Sequence, residues 1–483
     1  MNSSTSEQDR AILNPADTRQ IVGQVNEVSV QEVVRAIATA QQTAPAWAAR
    51  PVSERAACLE RMADLLQAES EALIALLIRE AGKTRADALA EVREAIDFCR
   101  YYAAQARQLM QETVLPGPSG EFNALTLQPR GLFACISPWN FPLAIFLGQI
   151  VAAVVTGNGV LAKPAPQTPL IALRALQLLH QAGVPQHIVT LLPGGPKVGE
   201  AMVRDRRIAG IAFTGSTATA RRIARCTLED EQRPLTALIA ETGGINAMIV
   251  DSTALPEQVV ADVITSAFQS AGQRCSALRL LCLQEDIYDS TLEMLKGAMA
   301  ELRIGDPALE HTDVGPLIDA QAQTRIDAYI KEHQPQVLYR TPLDATTQHG
   351  WFIAPTILQI DKPQDLQQEV FGPVLHVVKW RAGHLEELIE QINASGYGLT
   401  MGLHSRLDSA AQLVRTRARV GNLYINRSMI GAVVGSQPFG GEGLSGTGPK
   451  AGGPHYLLRF CTERTVSIDT TAAGGNTSLI NLD

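Results

Sequence analysis

The sequence predicts a doubly wound α/β fold, and three observations predict it. From Gly131 onward, short apolar runs alternate with stretches of helical apolar spacing, the mark of a parallel sheet covered by helices. The alternation runs twice, over residues 131–240 and again from Ala247 to about Val433, so two α/β units are expected. At 483 residues the chain also exceeds what one hydrophobic core usually serves.

The elements follow in order. Residues 1–20 are polar and read as extended. Three helical patterns come next: Val30 to Ala44, expected to stop at Pro45, then Val52 to Arg79 and Ala86 to Leu109. After a Pro/Gly break at Thr113–Gly120, Phe122–Gln128 alternates and reads as a strand standing off the body. The first unit pairs Leu132–Ile136 with Leu143–Val155, Val160–Lys163 with Leu170–Gln181, and Ile188–Leu191 with Val198–Val203. It continues with Ile208–Phe213 and Thr217–Ala224 and closes on Leu235–Ala240. In the second unit, Pro256 to Ala271 carries Val259, Val260, Val263, Ile264, Ala267 and Phe268 at helical spacing. The tail holds an alternating strand, Thr465–Asp469, before a polar stretch, and a terminal edge strand commonly pairs with another subunit.

Composition narrows the function class. The 41 basic and 49 acidic residues give a net charge of −8, which argues against nucleic acid or an anionic membrane as partner. The seven cysteines are scattered without a CxxC pair, so neither a disulfide framework nor a metal site is expected. The N-terminus lacks an apolar signal core, and Phe141–Val155, interrupted by Pro142, Gly148 and Gln149, is too short to span a bilayer. A reduced, cytoplasmic enzyme is the expectation.

The candidate chemistry centres on Glu241, a carboxylate ending an apolar strand, and Cys275, thirty-four residues later in a polar turn past a helix end. A thiol and a carboxylate on neighbouring turns suit covalent catalysis followed by hydrolysis. Taken singly, a Cys more often packs as a small hydrophobe and such a Glu is more often solvated. In Ile136-Ser137-Pro138-Trp139-Asn140-Phe141-Pro142, the Asn140 amide suits a developing oxyanion, or else caps the helix that follows. Lys163, after a strand, suits a ribose or phosphate. The glycine turns at Gly194–Gly199 and at Phe213-Thr214-Gly215-Ser216 present amides to a phosphate, or are ordinary tight turns. Glu369 and Phe371 offer an acid and an aromatic on one extended run, and seven glycines crowd residues 437–454.

In sequence order PWNFP, KP, PGGPKVG, FTGST, ETGG, GQRCS, EVFGPV and PFGG resemble the aldehyde dehydrogenase superfamily over most of the chain. More narrowly, EVREAIDFCRYYAAQAR, SAFQSAGQRCSALR and GAVVGSQPFGGEGLSGTGPKAGGPHY resemble one domain of bifunctional bacterial proline-utilisation flavoenzymes. That domain is the L-glutamate γ-semialdehyde (1-pyrroline-5-carboxylate) dehydrogenase. No proline dehydrogenase barrel precedes it, so the expectation is a stand-alone homologue or an excised domain.

The resemblance implies an aldehyde dehydrogenase fold. Residues 1–111 and 132–240 would form a Rossmann-like cofactor domain and 241–459 the catalytic domain, with 112–131 and 460–483 as an oligomerisation arm. It implies oxidation of the semialdehyde to glutamate, with Cys275 as nucleophile, Glu241 as base and Asn140 in the oxyanion hole. NAD would be held by Ile136, Pro138, Trp139, Lys163, Gly195, Gly199, Phe213, Gly215, Ser216, Glu369 and Phe371. Ser276, Gly452 and Gly453 would grip the substrate's α-carboxylate, with Phe141 and Phe460 about its aliphatic chain. Pro166 stands where relatives favouring NAD carry Glu, which leaves NADP open. A homo-oligomer, dimer or larger, and a proline dehydrogenase partner are also implied. The rival expectations are a less selective aldehyde dehydrogenase and a non-catalytic nucleotide-binding scaffold.

Overall fold

The computed structural model describes residues 9–470; the expected extended N-terminus and the polar tail, residues 1–8 and 471–483, lie outside the described residues. The chain opens on an antiparallel hairpin, β1 (Asp9–Asn14) and β2 (Asp17–Asn26), where composition alone suggests unpaired chain. Four helices follow: α1 (Val30–Ala48), α2 (Val52–Ala68), α3 (Ser70–Ala81) and α4 (Arg85–Leu109). α1 runs through Pro45 instead of stopping before it. The bond Pro45 forfeits is to the carbonyl of Gln41, an exposed residue that water serves. Buried Trp47 then anchors the last turn, its Nε1 donating to the Val154 carbonyl at 2.9 Å. The single helix expected over Val52–Arg79 breaks at Glu69, whose ψ of 14° leaves the helical range.

After β3 (Thr113–Leu115) and β4 (Glu121–Pro129) the first α/β unit begins. It comprises β5 (Leu132–Ile136), α5 (Ala144–Val155), β6 (Gly159–Lys163), α6 (Pro169–Gln181), β7 (Val189–Leu191) and α7 (Pro196–Arg204). It closes with β8 (Ile208–Thr214), α8 (Thr217–Leu228) and β9 (Ala237–Glu241). The five strands are parallel in the order β7-β6-β5-β8-β9, so the winding reverses at β5 and opens a crevice at the carboxyl edge. α5 is buried, which is why it is the most apolar stretch. No helix among the described residues is long and apolar enough to cross a membrane.

The second unit runs through β10 (Asn246–Val250), α9 (Pro256–Phe268), β11 (Leu278–Gln284), α10 (Tyr288–Ala300), α11 (Ala320–Glu332), β12 (Val337–Arg340) and β13 (Thr356–Gln359). It continues through β14 (Val374–Trp380), α12 (Leu385–Asn393), β15 (Tyr397–Gly398), β16 (Thr400–His404), α13 (Asp408–Arg417) and β17 (Asn422–Ile425). Its seven-stranded sheet has the order β12-β13-β14-β11-β10-β16-β17, with only β12 and β13 antiparallel. The short β18 (Glu442–Gly443) pairs with β15. The final strand, β19 (Cys461–Asp469), pairs along the length of β4 to form a three-stranded sheet with β3, a longer strand than the alternation at Thr465–Asp469 suggests.

Candidate active site

Cys275 owes its position to a strained turn. α9 ends at Phe268, three residues short of the expected end, and Ser270 and Ala271 adopt left-handed φ of 55° and 52° before Gly272 at 65°. A Cβ on Gly272 would lie 2.2 Å from the Gly372 carbonyl oxygen, so only glycine fits. Left-handed backbone costs about 1–2 kcal/mol per non-glycine residue, and the surroundings must hold it. Buried Asp87 of α4 does so, accepting from Gln269 Nε2 at 2.6 Å, Ser270 Oγ at 2.8 Å and Arg274 Nη2 at 2.7 Å. From the other side Arg279 donates to the Arg274 carbonyl at 2.9 Å, and Asn246 Nδ2 to the Cys275 carbonyl at 2.6 Å. Asp87→Ala leaves Arg274 buried without its counter-charge. It is expected to cost about 3–5 kcal/mol in denaturant unfolding; an unchanged midpoint would contradict this role.

Asn140 lies in the turn between β5 and α5, its Nδ2 donating to the Gln273 carbonyl at 3.1 Å beside the cysteine turn. It does not cap α5. The Leu143 and Ala144 amides are taken by Glu91 Oε1 of α4, at 2.8 and 3.1 Å, which leaves Asn140 to the cavity.

Glu241 ends β9 with Oε2 accepting from the Gly441 amide at 3.1 Å, while Oε1 is buried without a partner among the described residues. A Cβ on Gly440 or Gly446 would come within 2.9 Å of a carboxylate oxygen, so both glycines make its room. Burial pushes its pKa up to about 8, against the Gly441 amide and the Lys450 charge. Burial, then the Glu369 and Glu241 charges, push the Cys275 thiol up to about 12.

These three residues line one cavity of about 770 Å³ between the two α/β units. On its cofactor-like side stand Pro138, Trp139, Gly215, Ser216, Glu369 and Phe371. Ser216 caps α8, accepting from the Thr219 amide at 3.3 Å, so Gly215 and Ser216 sit at a helix N-terminus. Trp139 and Phe371 meet edge to face at 5.6 Å, and Glu369 lies 3.6 Å from buried Arg279. The register aligns Ile136 with both Lys163 and Phe213, placing three predicted residues along the same sheet edge. Lys163 lies outside the cavity lining, and a Cβ on Gly199 would sit 3.5 Å from its Cδ and Cε. Gly195 opens α7 with nothing within 4 Å of where its Cβ would be.

On the opposite side, Phe141 lies 4.3 Å beneath Lys83 Nζ and 5.3 Å from Arg274 Cζ, with Ser276 also lining the cavity. Three expected substrate contacts are corrected. The Gly452 amide donates to Tyr102 Oη at 2.8 Å and the Gly453 amide to the Lys450 carbonyl at 3.2 Å, so neither is free for a ligand. Phe460 is fully buried against Phe133 at 4.8 Å and Tyr456 at 5.3 Å. The cavity is lined instead by Gly431, Ala432 and Phe439, and the Gly431 and Ala432 amides have no partner among the described residues.

Residues of α4 also escaped the sequence reading: Asp87, Ala90, Glu94 and Phe98 form one face at helical spacing and line the cavity. Two acids, Asp87 and Glu94, sharing one helical stripe with Ala90 and Phe98 were the available signal. Glu94 is pushed up to about 7, by burial first and then by the Glu91 charge. Two buried oxygens, Gln149 Oε1 and Glu241 Oε1, reach this cavity without a partner among the described residues, and Glu369 Oε1 has only the Arg279 charge at 3.6 Å and no hydrogen bond. A ligand rich in hydroxyl and amide donors, as a nicotinamide dinucleotide is, fits that set.

The profile of the aldehyde dehydrogenase family matches residues 1–466. The bifunctional protein PutA of Escherichia coli (strain K12) is 54% identical over 467 residues, covering 94% of this chain but 34% of PutA. The chain thus spans about a third of the length of these curated relatives. The 1-pyrroline-5-carboxylate dehydrogenase of Geobacillus thermodenitrificans (strain NG80-2) is 37% identical over 460 residues, 94% of this chain and 89% of that protein. Among solved structures, a point mutant of Bradyrhizobium japonicum proline utilization A overlays with a TM-score of 0.91 at 54% identity, covering 93% of this chain and 46% of that one. A point mutant of Thermus thermophilus 1-pyrroline-5-carboxylate dehydrogenase overlays at 0.92 with 35% identity, covering 96% and 90%.

Proposed function

This chain belongs to the aldehyde dehydrogenase family, and from that premise we propose that it oxidises L-glutamate γ-semialdehyde to glutamate, using NAD. The observation that carries the substrate is the charged and amide-lined end of the cavity, opposite Cys275 from the cofactor side. The free Gly431 and Ala432 amides with Ser276 suit an α-carboxylate, Glu94 suits an α-ammonium, and Phe141 and Phe439 suit the short chain between. Simple alkanals use neither charged anchor.

In the reaction Cys275 Sγ bonds to the aldehyde carbon, and its thiol proton has Glu241, poised at about 8, as the acceptor the cavity offers. The Asn140 side-chain amide and the Cys275 N–H stabilise the oxyanion. A bound NAD would supply the hydride acceptor for this oxidation. Cys275 then carries a thioester, and Glu241 takes a proton from the water that releases the carboxylate. Trp139, Phe371 and Glu369 would hold the nicotinamide riboside, Gly215 and Ser216 the pyrophosphate, and Lys163, Gly195 and Gly199 the adenosine. Asn140→Ala is expected to lower kcat by about 10²–10³-fold with NAD binding retained; an unchanged kcat would remove Asn140 from the mechanism.

The division into a cofactor domain (1–111 and 132–240), a catalytic domain (241–459) and an arm (112–131 and 460–483) belongs to this reading. The exposed Val114, Val466 and Ile468 of the arm sheet suit contact with a second subunit. A proline dehydrogenase, in another domain or another chain, would supply the substrate, and a cytoplasmic setting suits the free thiol. Rates of NADH formation test the function. A kcat/KM for the semialdehyde on the order of 10²-fold above that for propanal is expected, and parity would point to a broad aldehyde dehydrogenase.

A further inference from the structure

We propose that Arg10 reads the 2′ position of the dinucleotide's adenosine and admits a 2′-phosphate, so that the chain binds NADP as well as NAD. The inference rests on the cofactor reading above and adds a selectivity residue to it.

The carboxyl edge of the five-stranded sheet carries a second charged cluster, apart from the catalytic cavity. β6 ends there at Lys163, only 6% exposed, with Nζ donating to the Pro164 carbonyl at 3.2 Å. Burial lowers the pKa of Lys163 to about 8, while the nearby Glu27 charge opposes that shift. The chain beyond β2 is fastened to the neighbouring turn by the Val28 amide, which donates to the Pro193 carbonyl at 2.9 Å. Two residues further on, Gly195 opens α7 with free space around it.

Arg10 of β1 closes this cluster. Its Nε donates to Glu27 Oε1 at 2.9 Å and its Nη2 to the Pro166 carbonyl at 2.5 Å. Of the five guanidinium N–H groups, the other three have no partner among the described residues. Two cations, Arg10 and Lys163, thus face one carboxylate, Glu27. Position 166 contributes a carbonyl and no carboxylate. A guanidinium held by two fixed partners, with donors to spare beside a buried ammonium, suits a phosphate dianion. A 2′-hydroxyl is also served, by Lys163 and the second oxygen of Glu27, so NAD is retained.

Calorimetric titration of the full chain with NAD, NADP and adenosine 2′,5′-bisphosphate tests this without turnover. NADP should bind the unaltered chain within about tenfold of NAD. Arg10→Ala should weaken NADP and the bisphosphate by about tenfold or more, and NAD by less than about twofold, with partial recovery in Arg10→Lys. Retained NAD affinity also serves as the check that the hairpin is folded. Binding of NAD without NADP, or an Arg10→Ala effect that is absent or equal for both dinucleotides, would overturn the proposal. If the unaltered chain binds neither dinucleotide, the cofactor reading beneath the proposal fails instead.

Discussion

Cys275→Ala is expected to lower kcat by on the order of 10⁴-fold or more while leaving NAD binding and the fold intact. Covalent catalysis has no substitute here: Cys275 is the one cysteine among the described residues that lines the cavity. Cys58, Cys99, Cys135, Cys282 and Cys461 are buried elsewhere, and Cys226 sits on α8. Alanine keeps the backbone that Asp87, Arg279 and Asn246 hold, so the melting temperature should hardly move. Steady-state rates together with a thermal melt check both halves. Wild-type turnover in the variant would sink covalent catalysis, and a collapse of the fold would show that the turn depends on the thiol itself.

Glu241→Gln should divide the reaction in two. The amide is nearly isosteric and can still accept from the Gly441 N–H, but it cannot take a proton from water. NADH is expected to form more slowly, because the amide cannot take the thiol proton either, and to stop at one equivalent per site, with kcat reduced about 10²–10⁴-fold. The unaltered enzyme adds a pH signature. Burial holds the Glu241 carboxyl at about 8, and a general base works only when ionised. Turnover should therefore rise as pH increases through about 8 and level off above it, and the variant should lose that limb. Full steady turnover by the variant, or the same pH limb in both proteins, would assign the base to another group.

Much of this site is visible in the sequence because its pieces lie at strand ends. Glu241 closes an apolar run and lines the cavity, Ile136, Lys163 and Phe213 close neighbouring runs outside its lining, and a parallel sheet brings such ends to one edge whatever the loops do. What failed depended on long-range packing. The resemblance pointed to Gly452 and Gly453 in the glycine-rich run, yet a motif does not say which amides are free, and Tyr102 and Lys450 occupy theirs. Among the described residues the amides left open are at Gly431 and Ala432, the first two residues of the run GAVVGSQPFGG, where nothing in the sequence marks an amide as free. Phe460 and Phe439 are alike in sequence, and only the packing against Phe133 and Tyr456 separates the core ring from the cavity ring.

The α4 face was hidden for a related reason. Asp87, Glu91 and Glu94 look like ordinary helix charges until α5 and the cysteine turn are packed against them. Glu91 then proves to be the cap of α5, and Asp87 the brace of the nucleophile turn. The hairpin β1–β2 was missed because its strands are polar and half-exposed, with too little apolar alternation to register.

Peptide mass spectrometry of the Glu241→Gln protein, quenched after mixing with the semialdehyde and NAD, tests whether Cys275 carries the acyl group. One γ-glutamyl group is expected on the peptide containing Cys275, labile to hydroxylamine as a thioester is. NADH formation with no acyl group on Cys275, or an acyl group on another residue, would contradict it.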